Sequence, residues 1–433
     1  MGLGRFGGGL AVTRYLARNG ATVTLTDLAN EQALAEPLAQ LKPLIDANQV
    51  HLRLGAHETA DFTETDAVIA NPAVPKPWDN PYLTAAREAG VEITTEIQIA
   101  ADHLSQSRII AITGSAGKST TSAMTHAALE AAGVPTILAG NIGSSILDRL
   151  DELTDDSIIV LELSSAMLHW LTNFAPAVAV ITNCSENHTD WHGSFDHYCT
   201  SKQSILAHQQ PNSTAILDES IADWKTQPAV HRTILTNHER IEGCTTPGTH
   251  NARNAAFAVA AATAILNQHN ITADESAIIQ AVQTFPGLPH RLSLCYEHNS
   301  IRFYNDSKCT VPGATLLAVA ALSETIDPKR IHLIAGGYNK GSSLQPIADL
   351  APTLAGLYTI GATGKTLADA ASSNATHCAD LETAMRTIMQ HAKPGDTVLL
   401  SPGCASWDQF TNYEQRGDRF RDLAIALTEP AQC

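Results

Sequence analysis

The chain has 433 residues, enough for two or three domains of roughly 150 residues each, and 44% of them are hydrophobic against 16% charged. That balance excludes a disordered, collagen-like or low-complexity protein. Twenty-seven Lys plus Arg against forty-four Asp plus Glu leave a formal charge of −17, which excludes broad binding to nucleic acid or to an anionic membrane and leaves any anionic substrate to local cationic clusters.

From the N-terminus, glycines are followed by strand-like runs at 21–26 and 66–70 that alternate with helical patterns at 10–18, 31–41 and 82–89. Alternating β and α predicts a mostly parallel sheet flanked by helices. The proline-rich stretch Asn71-Pro-Ala-Val-Pro-Lys-Pro77 reads as a loop after a strand. A second unit opens near residue 98: a buried-type strand at 108–113, a glycine loop, and an alanine-rich helix to Ala132. Strands at 157–163 and 177–183 and a helix over 251–266 complete it. Phe285-Pro-Gly-Leu-Pro289 stops that pattern. A third unit then resumes the alternation, with strands at 301–305, 330–335, 357–360 and 397–400. The expected division is therefore 1–97, 98–288 and 289–433, each α/β, with Rossmann-like first and last domains around a P-loop domain.

Eight cysteines, at 184, 199, 244, 295, 309, 378, 404 and 433, form no C-x-x-C pair, so neither a disulfide framework nor a zinc site is expected. The longest apolar run, 255–266, falls short of the ~20 residues that a bilayer span needs, and no signal-peptide pattern follows Met1. A reduced, cytoplasmic protein is the expectation.

The sharpest chemical signal is Thr113-Gly-Ser-Ala-Gly-Lys-Ser-Thr120 between a strand and a helix. Backbone N–H groups of Gly114, Ser115, Ala116 and Gly117 and the helix start can cradle phosphates, Lys118 can neutralise them, and Ser119 can ligate Mg²⁺. Ile112 stands where the full pattern has its first glycine, so this is a shortened P-loop. Glu162 ends the apolar strand at 158–161, where a Mg²⁺-orienting acid is needed, and His188 and Lys202 follow the next strand. Gly2-Leu-Gly-Arg-Phe-Gly7 fits the dinucleotide fingerprint but lacks a preceding strand. Alone it does not separate a diphosphate site with Gly4 and Asp27 from a glycine turn that merely packs. Asp306 and Lys308 end a strand that follows His290 and Arg291, a pattern suited to ribose and phosphate or to a surface ion pair.

Taken in order, these segments resemble the Mur ligases of peptidoglycan synthesis over essentially the whole chain. Gly-Lys-Ser at 117–119, Gly-Asn-Ile-Gly at 140–143, Glu-Leu-Ser-Ser at 162–165, Tyr-x-x-x-Lys at 198–202 and His-Asn-x-x-Asn at 250–254 carry the resemblance. Leu-Pro-His-Arg at 288–291, Asn-Asp-Ser-Lys at 305–308 and Cys-Ala-Ser-x-Asp-Gln-Phe at 404–410 resemble the MurD type, which adds glutamate to UDP-N-acetylmuramoyl-L-alanine. The resemblance implies ATP and two Mg²⁺ ions. Lys118, Ser119, Thr120 and the loop would hold the phosphates, Glu162 would ligate the first ion with Ser119, and His188 and a carbamylated Lys202 the second. Asn251, Asn254, His290, Arg291, Asp306 and Lys308 would surround the nucleotide. Asn141 and Ser164 would meet the muramoyl-alanine end, and Thr310, Lys340, Ser406 and the Tyr413 backbone the glutamate. A monomer acting on small molecules, with D-glutamate ahead of L-glutamate, is implied. Other amide ligases of this architecture, including folylpolyglutamate synthase, are the nearest rivals, whereas a plain ATPase or a nicotinamide dehydrogenase would use only one motif each. Ala116, Asn187 and Met167 depart from the family's Asn, acid and Gln at those positions.

Overall fold

A computed structural model describes residues 1–4 and 7–428; Arg5 and Phe6 of the glycine cluster, and Cys433, lie outside them. The chain divides into two compact units, one of residues 1–240 and 253–282 and the other of 241–252 and 283 to the C-terminus.

In the first unit, β1 (Val23–Asp27) pairs in parallel with β2 (Val50–Leu54), and β3 (Ala67–Ile69) with β4 (Glu92–Thr94). The segment before the first helix runs between these ribbons. The Met1 ammonium donates to the Ile69 carbonyl at 2.9 Å, Gly2 N–H to Thr26 at 2.8 Å, and Asn71 N–H to the Met1 carbonyl at 3.0 Å. Hydrogen bonds of Met1 and Gly2 therefore link the two ribbons, although residues 1–4 form no strand and Gly2 is at φ +80°.

The rest of this unit is a six-stranded parallel sheet. Its strands are β5 (Ile109–Thr113), β6 (Thr136–Gly140), β7 (Ile158–Glu162), β8 (Val178–Ile181), β9 (Thr214–Asp218) and β10 (His231–Leu235), in the order β10-β9-β8-β5-β7-β6. β5, β7 and β8 are buried at every position, as expected of continuous apolar runs covered on both faces. Because the sheet is parallel and β5 is central, the C-terminal ends of β5, β7 and β8 open side by side, where ligands bind in such sheets.

The second unit has one six-stranded sheet: β11 (Ser293–His298), β12 (Ile301–Asn305), β13 (Ile331–Gly336), β14 (Gly356–Ile360), β15 (Ala375–Ala379) and β16 (Thr397–Leu400), ordered β11-β12-β16-β13-β14-β15. Only the β11–β12 pair is antiparallel. Separate apolar clusters cover the two faces, one around Leu322, Leu333 and Leu399 and the other around Phe303, Val398 and Phe420. The mixed α/β architecture expected from the alternating pattern is present in both units. No described helix is long and apolar enough to cross a membrane.

Candidate active site

The glycine loop joins β5 to the 14-residue helix Lys118–Ala131. Gly117 has φ +85°, a left-handed conformation that a side chain resists, and a Cβ there would stand 2.5 Å from Asn254 Oδ1. The loop is held from the next strand end. Asn183 Oδ1 accepts from Ser115 N–H at 3.1 Å and Ala116 N–H at 2.9 Å, while Asn183 Nδ2 donates to the Ala116 carbonyl at 3.0 Å. Thr182 Oγ1 donates to the same carbonyl at 2.5 Å. Two N–H groups that the sequence offers to phosphate are thus engaged by Asn183. Lys118 Nζ lies back against the Gly114 carbonyl at 2.9 Å. Thr120 is buried in the first turn of the helix, beside Ser119.

Glu162 is fully buried at the end of β7. Its Oε1 accepts from Asn141 Nδ2 at 3.0 Å, whereas Oε2 has no hydrogen-bond partner. Asn141 is brought there by the strand end of β6: its N–H donates to the Glu162 carbonyl at 2.8 Å, and the preceding Gly140, φ +102°, passes so close that a Cβ would collide with that carbonyl. A buried carboxylate oxygen without a proton donor costs free energy unless a cation or a proton meets it. Ser164 Oγ caps the helix Ser165–Trp170 by accepting from Met167 N–H at 3.2 Å.

Lys202 is 1% exposed in the helix Phe195–Gln203. Its Nζ donates to Thr113 Oγ1 at 3.2 Å and the Gly114 carbonyl at 2.9 Å and sits 4.7 Å from the centre of the Tyr198 ring. Burial, reinforced by the nearby Lys118 charge, pushes its pKa down to about 7. Tyr198 in turn reaches Ser115 Oγ at 2.8 Å. His188, exposed and at φ +51°, starts a short turn of helix with its ring 6.4 Å from that of Tyr198. Partial burial, together with Lys118 and Lys202, lowers its pKa, against the pull of Asp190. Lys118, Glu162, His188 and Lys202 thus lie at or beside adjoining strand ends of one sheet. Among the described residues no group of three or more His, Cys, Asp or Glu could hold a metal alone.

At the N-terminal glycines, Asp27 Oδ2 accepts from Leu3 N–H at 2.8 Å and Gly4 N–H at 3.3 Å, and Oδ1 accepts from Ala29 N–H at 2.8 Å. Asp27 therefore fastens this turn, a role its strand-end position alone did not disclose.

Asn251 and Asn254 lie near the start of the helix Thr249–Gln268; Asn251 Nδ2 donates to the Pro247 carbonyl at 2.7 Å. In the second unit Asp306 is buried at the end of β12. It accepts from Leu292 N–H at 3.1 Å and from Ser401 Oγ at 2.7 Å, and burial raises its pKa to about 6. Lys308 N–H donates to the His290 carbonyl at 3.0 Å, and Lys308 Nζ lies 5.4 Å from the centre of the Tyr413 ring. His290, Asp306, Lys308 and Tyr413 are brought together, with Arg291 in the same turn. The Tyr413 carbonyl is engaged by Ser307 Oγ at 2.7 Å. Thr310 follows, half-buried, two residues before the helix Pro312–Ser323. Lys340 and Ser406 stand on two loops joined by paired bonds between Tyr338 and Ala405, each 2.9 Å, and Lys340 Nζ rests 4.5 Å from the centre of the Trp407 ring.

Arg416, 1% exposed, ties these loops from below. Its guanidinium donates to Ser307 Oγ at 3.0 Å, to the Ser307 carbonyl at 2.8 Å and to the Cys404 carbonyl at 3.1 Å. It was not identifiable in the sequence, because Tyr-Glu-Gln-Arg-Gly-Asp-Arg reads as a solvated helix face.

Asp306 carries a pH signature. Its folded pKa lies above the unfolded value of about 3.9, so the folded state holds the proton more tightly and stability falls as pH rises from about 4 through 6. Asp306→Asn should therefore stabilise the second unit by about 1–3 kcal/mol at pH 7.5, with the gain fading below pH 4. Denaturant unfolding at the two pH values measures this, and an equal effect at both would contradict it.

Residues 1–95 match the family described as Mur ligase MurD-like, N-terminal domain; 112–239 match the Mur ligase middle domain; and 290–404 match the Mur ligase, glutamate ligase domain. The chain is 36% identical to the UDP-N-acetylmuramoylalanine–D-glutamate ligase of Geobacter metallireducens over 97% of its own length and 95% of the relative's. This chain belongs to the MurD family of Mur ligases. A second MurD relative, the ligase of the same name from Pelotomaculum thermopropionicum, is 33% identical over 99% of this chain and 97% of its own. Among solved structures, the fold is shared with the UDP-N-acetylmuramate-alanine ligase of Thermotoga maritima, at a TM-score of 0.60 and 19% identity over 98% of both chains. It is also shared with a pseudomurein peptide ligase type C from Methanothermus fervidus, at a TM-score of 0.52 and 18% identity over 97% and 98%.

Proposed function

We propose that this MurD-family chain is an ATP-dependent ligase that joins D-glutamate to UDP-N-acetylmuramoyl-L-alanine through an acyl phosphate, in the assembly of peptidoglycan precursors. The single observation that carries the reading is the unpartnered, buried Glu162 Oε2 beside a P-loop and a buried lysine of lowered pKa. Names of relatives that match nearly the whole chain supply the substrates. The three matched segments support a division at 1–97, 98–288 and 289–433.

The donor set fits magnesium. Glu162 and Ser119 would hold one ion, and His188 and a carbamylated Lys202 the other. The sparse protein ligation suits an ion that keeps waters and substrate phosphate oxygens. Bound there, Mg²⁺ supplies screening of the oxyanions that must approach one another. Near pH 7 a large share of Lys202 is the neutral amine, the form that attacks CO₂. The carbamate so formed keeps one N–H, enough for the Gly114 carbonyl, and presents a carboxylate where an ammonium stood.

A carboxylate at neutral pH does not accept an amine. ATP therefore phosphorylates the alanyl carboxylate first, Lys118 neutralising the transferring phosphoryl group, and the glutamate amine then displaces phosphate. Asn141 and Ser164 would orient the acceptor's alanyl end, and Gly4 and Asp27 its uridine diphosphate end. Lys340, Ser406 and Thr310 would fix the two carboxylates of glutamate, while Asn251, Asn254, His290, Arg291, Asp306 and Lys308 would serve the nucleotide. We place the reaction in the cytoplasm and assign a monomer. Phosphate release that requires ATP, the muramoyl substrate and glutamate together tests the reading; release indifferent to the muramoyl substrate would reject it.

A further inference from the structure

Two thiols that the ligation does not use lie against each other beside the P-loop. Cys184 follows Asn183 after β8, Cys199 follows Tyr198 in the helix Phe195–Gln203, and their sulfurs are 3.4 Å apart. Both residues are half-buried. The other described thiols rest against oxygens, such as the Ile241, Phe303 and Val311 carbonyls. What distinguishes the pair further is what its two segments hold. Asn183, next to one thiol, clamps Ser115 N–H; Ser185, on its other side, exchanges hydrogen bonds with Ser115 Oγ at 2.9 Å in both directions. Tyr198, next to the other thiol, bonds the same Oγ at 2.8 Å, and Lys202 lies one turn further along. Both segments close on one residue of the glycine loop.

We propose that Cys184 and Cys199 are a reversible dithiol–disulfide modification site through which a peroxide-class oxidant turns the phosphate loop off. The Cys199 sulfur attacks one peroxide oxygen; the O–O bond breaks, a sulfenic acid forms, and water leaves once the thiol proton is passed on. The Cys184 sulfur then attacks the sulfenic sulfur, the S–S bond forms, the S–O bond breaks, and a second water leaves. Two thiols are oxidised and one peroxide is reduced to two waters. Burial and the neighbouring Cys199 sulfur push the Cys184 thiol up to about 12, so it remains protonated and acts second. A dithiol reductant reverses the change, and in a reducing compartment the pair rests as two thiols.

A disulfide needs its sulfurs at about 2.0 Å, so the two sulfurs close by more than an ångström from 3.4 Å, and in this proposal the Tyr198–Lys202 helix and the Asn183–Ser185 segment are drawn together with them. Ser115 is bonded to both and must shift. Displacement of that size at reacting groups costs up to about 10²-fold in rate.

The consequence for ligation rests on the proposed ligase reading; disulfide formation does not. The full chain is treated with hydrogen peroxide, alkylated, and peptide-mapped, with ligation assayed before and after and again after dithiothreitol. The expected result is a peptide linked through Cys184 and Cys199, at least a ~10-fold loss of ligation, and recovery on reduction. Cys184→Ser and Cys199→Ser should each keep activity through the same treatment, and only Cys184→Ser should yield a dimedone adduct, on Cys199. Both cysteines remaining alkylatable, or either serine variant being inactivated like the parent, would overturn the proposal. A linked peptide from a chain with no ligation even when reduced would instead reject the ligase reading.

Discussion

Lys118→Ala should lower ligation on the order of 10³-fold or more while leaving the fold intact. Backbone donors alone cannot replace the ammonium here, because Asn183 already engages Ser115 N–H and Ala116 N–H. The lysine's contact to the Gly114 carbonyl, at 2.9 Å, is a partly buried bond that a flexible stem can leave when phosphate arrives. Losing that bond costs only about 1 kcal/mol of stability, so a drop in rate with a nearly unchanged thermal midpoint separates the phosphate role from a folding role. A variant that keeps half the parent rate would remove Lys118 from the mechanism.

The second large effect belongs to Lys202. Its substitution by alanine should reduce ligation about 10²-fold or more, since the carbamate it is assigned would supply a metal-facing carboxylate. With a pKa pushed down to about 7, the Lys202 side chain has the neutral amine available for carbamylation. Its two hydrogen bonds, to Thr113 Oγ1 and the Gly114 carbonyl, could be met by a smaller polar group. Short carboxylates such as acetate should restore part of the activity to Lys202→Ala and none to Lys118→Ala, because they replace the lost carboxylate and not a lost cation. Absence of rescue, or a native mass spectrum of the active enzyme without the added CO₂, would refute the carbamate.

Among the interior strands β9 (Thr214–Asp218), buried throughout but with only three apolar residues between Thr214 and Asp218, was not predicted. The others were legible because they are apolar at consecutive positions: β5, β12 and β16 lie where the runs at 108–113, 301–305 and 397–400 place them. Edge strands were not. β10, His-Arg-Thr-Ile-Leu, is exposed over its first three residues, and β15, Ala-Thr-His-Cys-Ala, buries only Cys378, so neither breaks from a loop-like pattern. β2 and β11 mix charged and apolar residues for the same reason.

Within the site, Lys118 and Glu162 stood out because motif and strand end coincide, and Lys202 through the Tyr-x-x-x-Lys spacing within a helix. Asn183 did not, since an asparagine after a strand ordinarily signals a turn, and only the three-dimensional loop reveals that its amide replaces a phosphate-like acceptor for Ser115 and Ala116. The same loop position accounts for Ala116: its carbonyl and N–H, rather than a side chain, make the contacts to Asn183. Arg416 escaped for a different reason. Its burial depends on the carbonyls of Ser307 and Cys404, which are far apart in sequence and converge only when β12 and β16 pair.

The central claim is the stereospecific addition of glutamate. If Lys340, Ser406 and Thr310 anchor both carboxylates as proposed, one direction is left from which the amine reaches the acyl phosphate, so the wrong enantiomer would misplace its nitrogen and a neutral side chain would forfeit one of the anchors. The measurement is steady-state phosphate release with ATP and UDP-N-acetylmuramoyl-L-alanine, comparing matched concentrations of D-glutamate and L-glutamate. The account predicts turnover with the D form and at least about 10²-fold less with the L form; faster release with L-glutamate, or release independent of either, would contradict it.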